Sequence, residues 1–300
     1  MNYYFTQNKL IAYNNNVVEE TITDYNFENP FCLDESSYKL FQALNKKNVK
    51  LENGVLVVGR SKLKLLNSKP PLFSKEFNSC FKLNINKLKE ASKFVSKSDE
   101  RPSLTGVFIS DNGSILATDS FKIYCYREEN SDIKNGVTIT SDLVKELCKY
   151  NGEECDMYFN NQVASVKVNE NTTITGRLIN GNYPILNSLL AFGNKEPLIF
   201  DQDKLGDIIK LGDLLKGESR KIVFNNNTVT ITDFENLGDE IVEELETNLE
   251  ELLCLSFENL KIIMNVLGKN CSVYIENSKK PITFTNENDD TFCIVMPMIH

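Results

Sequence analysis

The 300-residue sequence contains a single histidine, His300. Hydrolytic sites of the Ser/His/Asp and Cys/His types need histidine as the general base, so the sequence offers no usable triad. It also lacks the phosphate-binding patterns Gly-x-x-x-x-Gly-Lys and Gly-x-Gly-x-x-Gly and the zinc motif His-Glu-x-x-His. We therefore predict a protein that is not an enzyme and uses no cofactor or metal. A paired-carboxylate site among the 42 acidic residues is the enzymatic alternative.

The Cys-x-x-Cys spacing is absent, although the sequence has eight cysteines. Several lie in apolar stretches such as 30–33 and 292–295, which is typical of buried free thiols. Also absent is any run of the roughly 18 apolar residues that a membrane helix needs. The N-terminus shows neither the basic nor the apolar part of a signal peptide. We expect a cytoplasmic protein with no membrane partner.

Charge of one sign is in excess, since the formal net charge is −9. Phosphate binding needs clustered Lys and Arg, so this balance argues against a protein that binds nucleic acid over its whole surface. A locally basic face is still compatible with it. The acidic run 239–246 is most simply a solvated or partner-facing surface. The content of 41% hydrophobic and 25% charged residues is typical of two or three folded domains.

Residues 101–126 carry the clearest local pattern. Val107–Ile109 and Ser114–Ala117 are β-prone and flank Asp-Asn-Gly, where Gly113 can adopt the positive φ of a hairpin turn. In 121–126, apolar side chains then alternate with Lys and Tyr, which predicts a third strand with one buried face. The segment is predicted to be a β-meander.

A short pattern recurs five times: an apolar strand end, a polar residue suited to capping a helix, and an amphipathic helix followed by strands. The predicted caps stand at positions 34, 84, 141, 201 and 256. Residues 6–23 look like the last strands of a further unit that lacks its leading strand and helix. One helix cannot cover both faces of a sheet, so neighbouring units must share cores. The predicted helices span 34–48, 84–97, 141–151, 201–216 and 256–269.

Four segments in order resemble the bacterial replicative sliding clamp family, the β subunit of DNA polymerase III: 59–65, 101–119, 176–184 and 295–298. The resemblance implies an α+β fold of repeated strand-helix-strands units, with helices lining a ring and sheets outside. The family has six units per chain, whereas this sequence has five. The shortened first domain suggests a divergent copy, such as one from a phage or mobile element. The implied domains are 1–73, a truncated first domain, 74–193 and 194–300.

The resemblance further implies a processivity factor that encircles double-stranded DNA as a homodimer. Its partners would be a DNA polymerase catalytic subunit, the clamp loader and other proteins with clamp-binding motifs. The alternative is a clamp-fold protein that does not close a ring and acts as a peptide-binding adaptor or competitor.

The five predicted helices carry 14 Lys against 10 acidic residues. Lysine is a good helix-surface residue in any case, so charge alone leaves a structural interpretation open. The resemblance favours contact with phosphates. The residues predicted to face DNA are Lys87, Lys89, Lys93, Lys97, Arg101, Lys145 and Lys149.

The family also implies a groove for short hydrophobic peptides. Methionine and aliphatic walls suit it because they can repack around different ligands. This sequence departs from the family at Ser120 and Phe121, where Gly-His is usual, at Ser188, where Arg is frequent, and at 299–300, where Arg-Leu is common. The predicted groove residues are Leu104, Thr118, Ser120, Phe121, Lys122, Ile123, Pro184, Ser188, Leu189, Ile294, Met296, Pro297 and Met298.

A third implied surface joins two protomers, through a basic edge strand of one chain and acidic residues of the other. Its predicted residues are Arg60, Lys62, Leu65, Leu214, Leu215, Glu240, Glu243 and Glu244. Because the first unit has lost its leading helix, we also expect exposed apolar surface on the helix face that carries Tyr38, Phe41 and Leu44.

Overall fold

The computed structural model describes residues 1–44, 49–52, 54–128, 136–150, 154–184, 196–217, 219–233, 238–268 and 270–298. Over these residues the chain forms five α-helices and 23 strands, which confirms the predicted α+β fold class. The helices are α1 (Glu35–Ala43), α2 (Ile85–Ala91), α3 (Ser141–Leu147), α4 (Gln202–Gly212) and α5 (Phe257–Leu267).

The strands follow one rule: each helix has one strand before it and three after it, and three strands precede the first such group. They are β1 (Asn2–Thr6), β2 (Lys9–Tyr13), β3 (Val17–Ile22), β4 (Phe31–Leu33), β5 (Val49–Glu52), β6 (Val55–Val58), β7 (Ser61–Lys64), β8 (Ser79–Asn84), β9 (Val107–Ile109), β10 (Ile115–Thr118), β11 (Lys122–Tyr126), β12 (Val137–Ile139), β13 (Glu154–Phe159), β14 (Val163–Lys167), β15 (Thr172–Ile179), β16 (Glu196–Pro197), β17 (Arg220–Asn225), β18 (Thr228–Asp233), β19 (Ile241–Glu244), β20 (Leu253–Ser256), β21 (Ser272–Ile275), β22 (Ile282–Thr285) and β23 (Thr291–Val295). The five predicted repeats are thus confirmed, and β1–β3 stand where a helix-less remnant was expected.

Side-chain caps explain where the helices begin. The carboxylates of Asp34 and Asp201 accept the backbone N–H groups of the residues three positions later, at 2.7 and 3.0 Å. The Asn84 amide oxygen and the Ser256 hydroxyl do the same at 3.0 and 3.4 Å. These four predicted caps are confirmed. At the third helix the cap is Thr140, one residue before the predicted position, because its hydroxyl accepts the N–H of residue 143.

The chain divides into two compact units. The first contains Met1–Leu88 and Val137–Asn180, and the second contains Lys89–Gly136 and Gly181–His300. The division into domains 1–73, 74–193 and 194–300 stays a prediction.

In the first unit an antiparallel sheet runs in the order β4-β1-β2-β3-β15-β14-β13-β8, and β12 also pairs with β15. Strands β5, β6 and β7 form a separate sheet. Strand β1 was not predicted. It belongs to the fold because its backbone pairs with both β2 and β4, as in the pair Tyr4↔Ile11 and the pair Tyr4↔Cys32.

The expected exposed apolar face on the first helix is wrong for its central residue, because Phe41 is fully buried. Its ring centroid lies 5.4 Å from that of Phe5, which in turn stacks on Phe31 at 4.7 Å. Tyr3 covers Tyr38, with ring centroids 3.7 Å apart. The residues before α1 therefore provide the aromatic cover of this helix.

In the second unit the sheet order is β16-β21-β22-β23-β11-β10-β9. The predicted meander 101–126 is confirmed as β9, β10 and β11, with Gly113 at a φ of 87° in the first turn. Strand β23 pairs with β11 and so adds distant residues to the meander. A separate sheet has the order β19-β18-β17-β20.

None of the eight cysteines forms a disulfide. The predicted burial is confirmed for five of them, whereas Cys148 and Cys155 are only half-buried. Cys80 is exposed, because it lies on the solvent side of β8 with Lys82. Burial raises the pKa of Cys125 to about 12. Among the described residues, no helix is long and apolar enough to cross a membrane.

We predict that Phe41→Ala lowers the free energy of unfolding by about 3–5 kcal/mol, the usual cost of removing a buried aromatic ring. Leu40→Ala on the same helix is the matched control, since Leu40 is 57% exposed and should change stability by no more than about 0.5 kcal/mol. Urea unfolding followed by circular dichroism measures both. Equal effects would show that the aromatic cluster does not hold α1.

Candidate functional site

A rigid turn joins β10 to β11. The Asp119 carboxylate accepts the backbone N–H groups of Phe121 and Lys122, both at 2.9 Å. The Thr118 hydroxyl accepts the N–H of Ser120 at 3.1 Å and donates to the carbonyl of Lys122 at 2.8 Å. Ser120 has a φ of 82°, a left-handed value that is uncommon outside glycine. These bonds hold the strained backbone and turn the Phe121 side chain outward.

Lys122 is buried, and its ammonium group pairs with the Asp119 carboxylate. The same ammonium lies 6.0 Å from the centre of the Phe94 ring. A buried charge is costly unless it is paired, so this ion pair belongs to the structure of the turn. Lys122, a predicted groove residue, therefore supports the site from beneath.

An apolar floor lies beside this turn. Ile123 on β11 faces Ile294 on β23 in the strand register, and both are buried. Leu104 joins them from a 3-10 helix at Pro102–Thr105, whose position is fixed by the bond from Ser96 N–H to the Leu104 carbonyl at 2.8 Å. The remaining buried members of this cluster are Leu116, Cys125, Tyr183 and Phe292.

Two exposed apolar side chains form the rim. Phe121 is 66% exposed and Met296 is 39% exposed. The Met296 N–H donates to the Phe121 carbonyl at 2.9 Å, so the segment after β23 runs beside the turn. Further on, the Met298 N–H donates to the Cys254 carbonyl at 2.8 Å. The rim is thus fixed by backbone bonds, while its side chains stay accessible.

Together these elements enclose a cavity of about 180 Å³, the apolar groove. Eight of the 13 predicted groove residues line it, and Arg101, predicted to face DNA, lines it too. Pro297 and Met298 are half-buried and lie outside its wall. Ser188 and Leu189 lie outside the described residues, as do residues 299–300. The lining residues are Arg101, Leu104, Thr118, Ser120, Phe121, Ile123, Pro184, Ile294 and Met296.

A second, larger cavity of about 590 Å³ was not predicted; we call it the polar cavity. Its wall combines residues that follow α2 with the first turns of α5, which no local pattern connects. It shares Arg101, Leu104, Ser120 and Phe121 with the apolar groove. The other lining residues are Lys93, Val95, Ser96, Lys97, Ser98, Glu100, Asp119, Lys122, Glu258, Asn259 and Ile262.

The other residues predicted to face DNA are distributed over both units. Lys89, Lys93 and Lys97 are exposed, on α2 and in the segment that follows it, and Lys87 is half-buried. In the first unit, Lys145 on α3 is exposed, and Lys149 pairs with Glu146.

The residues predicted to join protomers lie mostly on strand edges and loops. Arg60 and Lys62 are exposed at the start of β7, an edge of its sheet. Glu243 and Glu244 belong to β19, also an edge strand, and Glu240 is exposed just before it. Leu65 differs, because it packs against the aromatic core around Phe5.

Leu214 and Leu215 follow α4, and Leu214 is 77% exposed. Arg220 holds the loop: its guanidinium donates to the carbonyls of Gly212 and Leu215. The same group pairs with Glu258 through Nε at 3.0 Å and lies over the Phe257 ring at 4.4 Å. The backbone on both sides of Leu214 is therefore fixed.

No family model matches the chain, and no curated protein matches it. Solved structures do. The DNA polymerase III subunit β of Bartonella birtlesii, bound to griselimycin, matches with a TM-score of 0.83 at 16% identity, over 100% of this chain and 91% of that one. The sliding clamp of Bacillus subtilis matches at 0.80 and 19% identity, over 100% and 90%. The β clamp of Helicobacter pylori, bound to a DNA ligase peptide, matches at 0.77 and 16%, over 99% and 91%.

The whole chain thus has the fold of bacterial DNA polymerase III β sliding clamps, as the sequence resemblance indicated. The sequence identity to these structures is low, at 16–19%.

We predict that Asp119→Ala destabilises the chain by about 3 kcal/mol, because it leaves the Lys122 charge buried without its partner. The double substitution Asp119→Ala with Lys122→Met should recover part of that loss. Urea unfolding of the two single variants and the double variant gives the coupling energy. A coupling below about 0.5 kcal/mol would mean that the ion pair does not stabilise the turn.

Proposed function

We propose that this chain is a DNA sliding clamp, a non-enzymatic processivity factor that encircles duplex DNA and tethers replication and repair proteins. The observation that carries the proposal is the apolar groove with an exposed aromatic and an exposed methionine at its rim, built on a sliding-clamp fold. The partners would be a polymerase catalytic subunit, the clamp loader and other proteins with clamp-binding motifs.

The groove suits short peptides for a physical reason. Its floor is buried and rigid, which provides a defined apolar site, while Met296 at the rim can repack around different side chains. The Helicobacter clamp is bound to a ligase peptide, and the Bartonella clamp to griselimycin. Such ligands are models for what the groove of this chain would bind.

The DNA contact would be loose. The chain carries a net charge of −9, and its basic residues are concentrated on and after the helices. Lys89, Lys93, Lys97 and Lys145 would meet phosphates weakly, and salt would reduce each contact. Retention on DNA would then depend on a closed ring of two chains. Such a clamp would work in the cytoplasm, as a divergent copy of the kind that a phage or mobile element carries.

Ring closure would pair β7 of one protomer with β19 of the other. Arg60 and Lys62 would face Glu243 and Glu244, so that opposite charges set the register of two edge strands. The exposed Leu214, held by its fixed loop, would add apolar burial. Leu65 would contribute indirectly, through the core that supports β7.

An adaptor or competitor that does not close a ring is the second candidate. It is favoured by one observation: residues 1–34, all described, form four strands and no helix. With five helices among the described residues, where the family has six units, a ring would have a thin arc. The oligomeric state distinguishes the two candidates.

We predict that Phe121→Ala together with Met296→Ala weakens binding of the Helicobacter ligase peptide by at least about tenfold, because both rim contacts are lost. Ile199→Ala is the control, since Ile199 is also 66% exposed but lies outside the groove wall. Fluorescence anisotropy of a labelled peptide measures the affinity. An unchanged affinity in the double variant would rule out this groove.

We predict a dimer of about twice the 34.2 kDa chain mass in sedimentation at low salt. Lys62→Glu should weaken it about tenfold, and adding Glu243→Lys should restore it, because the swap recreates an opposite-charge pair. Lys50→Glu, on the opposite edge of the same sheet, is the control. A monomer at all salt concentrations would favour the adaptor. A ring should also stay on closed circular DNA and leave it after linearisation.

A further inference from the structure

We infer that the polar cavity makes this groove select peptides that carry an acidic side chain beside their apolar anchor residues. The inference rests on the proposed peptide-binding function and adds the chemistry of the partner. It is argued from the shared wall of the two cavities and from the charges that remain after their ion pairs are assigned.

The two cavities share part of their walls. Arg101, Leu104, Ser120 and Phe121 belong to the walls of both. A peptide whose apolar side chains fill the apolar groove would therefore continue past Phe121 into the polar cavity. Since an extended chain advances about 3.3 Å per residue, a neighbouring residue of the same peptide lies within reach.

The carboxylates of the polar cavity are largely engaged within the protein. Asp119 pairs with Lys122 and accepts two backbone N–H groups. Glu258 pairs with Arg220, which is not part of the cavity wall. Both acids are thus compensated by cations that they already contact.

The cations of the wall are not compensated to the same extent. Lys93, Lys97 and Arg101 are exposed, and none of them takes part in a salt bridge among the described residues. Glu100 is the one remaining carboxylate of the described wall. Three cations against one anion leave a positive cavity, which complements a carboxylate ligand.

Packing fixes where these cations stand. Lys93 lies in a 3-10 helix at Ser92–Phe94, and Phe94 is fully buried against Tyr124, with ring centroids 5.4 Å apart. The Tyr124 hydroxyl donates a hydrogen bond of 2.7 Å to the carboxylate of Glu90, the acidic residue of α2. The segment that presents the lysines is therefore anchored by aromatic contacts, whereas Lys93 and Lys97 themselves are exposed.

Duplex DNA is the competing ligand, since Lys93 and Lys97 are also among the residues proposed to meet phosphates. A peptide carboxylate is favoured because the lysines share a cavity with Phe121, an exposed apolar side chain on the wall of the apolar groove. A DNA phosphate would gain nothing from an apolar neighbour. A peptide with apolar and acidic side chains would contact both Phe121 and the lysines.

The test uses the full chain and the Helicobacter ligase peptide, labelled with fluorescein. At each position that flanks its apolar residues, one peptide carries Glu and its partner carries Gln, so that the pair differs only in charge. Each pair is titrated against the wild-type chain, the variant Lys93→Ala with Lys97→Ala, and the control Lys89→Ala, which removes an exposed lysine of α2 outside both cavities.

At one flanking position or more, the Glu peptide should bind the wild-type chain about three- to tenfold more tightly than the Gln peptide. The ratio should fall to within about twofold in the Lys93/Lys97 variant and at high salt, and should persist in the Lys89 variant. Equal binding of Glu and Gln peptides to the wild-type chain would overturn the inference and leave the proposed function intact. An unchanged ratio of Glu to Gln peptide affinity in the Lys93/Lys97 variant would also overturn the inference, because these lysines would then serve duplex DNA alone. Failure of every peptide to bind would overturn both.

Discussion

Backbone pairing between β11 and β23 is the constraint on which the rest of the candidate site depends. It aligns residues 122–126 with residues 291–295 in an antiparallel ladder, so two segments about 170 positions apart become neighbours. Ile123 and Ile294 then form one floor, and the chain that leaves β23 must pass the turn at Phe121. A one-residue slip of β23 would turn Ile294 to the other face of the sheet, away from Ile123, and break the floor of the groove.

In the first unit, aromatic side chains from the strands that precede α1 bury this helix. Burial of Phe41 by Phe5 and Phe31 uses residues that come before the helix in sequence. Aromatic rings suit this purpose because a few of them cover a large area. The residues before α1 therefore close a core around this helix.

Much of the local structure could be predicted from the sequence, because it depends on neighbouring residues. The caps at Asp34, Asp201 and Ser256 and the turn at Gly113 follow from side-chain chemistry within a few positions. The cover of Phe41 and the polar cavity could not be predicted, since both are made by residues far apart in the chain. Cys80 was misjudged because alternation along β8, and not its thiol, determines that it faces solvent. Eight of the predicted groove residues line one cavity, and only the family resemblance suggested that these distant residues meet, because periodicity does not predict distant contacts.

The turn that contains Ser120 has a consequence for the energetics of recognition. A serine at a φ of 82° costs on the order of 1 kcal/mol, and the bonds from Asp119 and Thr118 offset this cost when the chain folds. Phe121 is therefore presented in one backbone conformation before any ligand arrives. The turn therefore loses little conformational entropy when a ligand binds. Differences in affinity among ligands must then arise from the flexibility of the ligands and from the fit of their side chains.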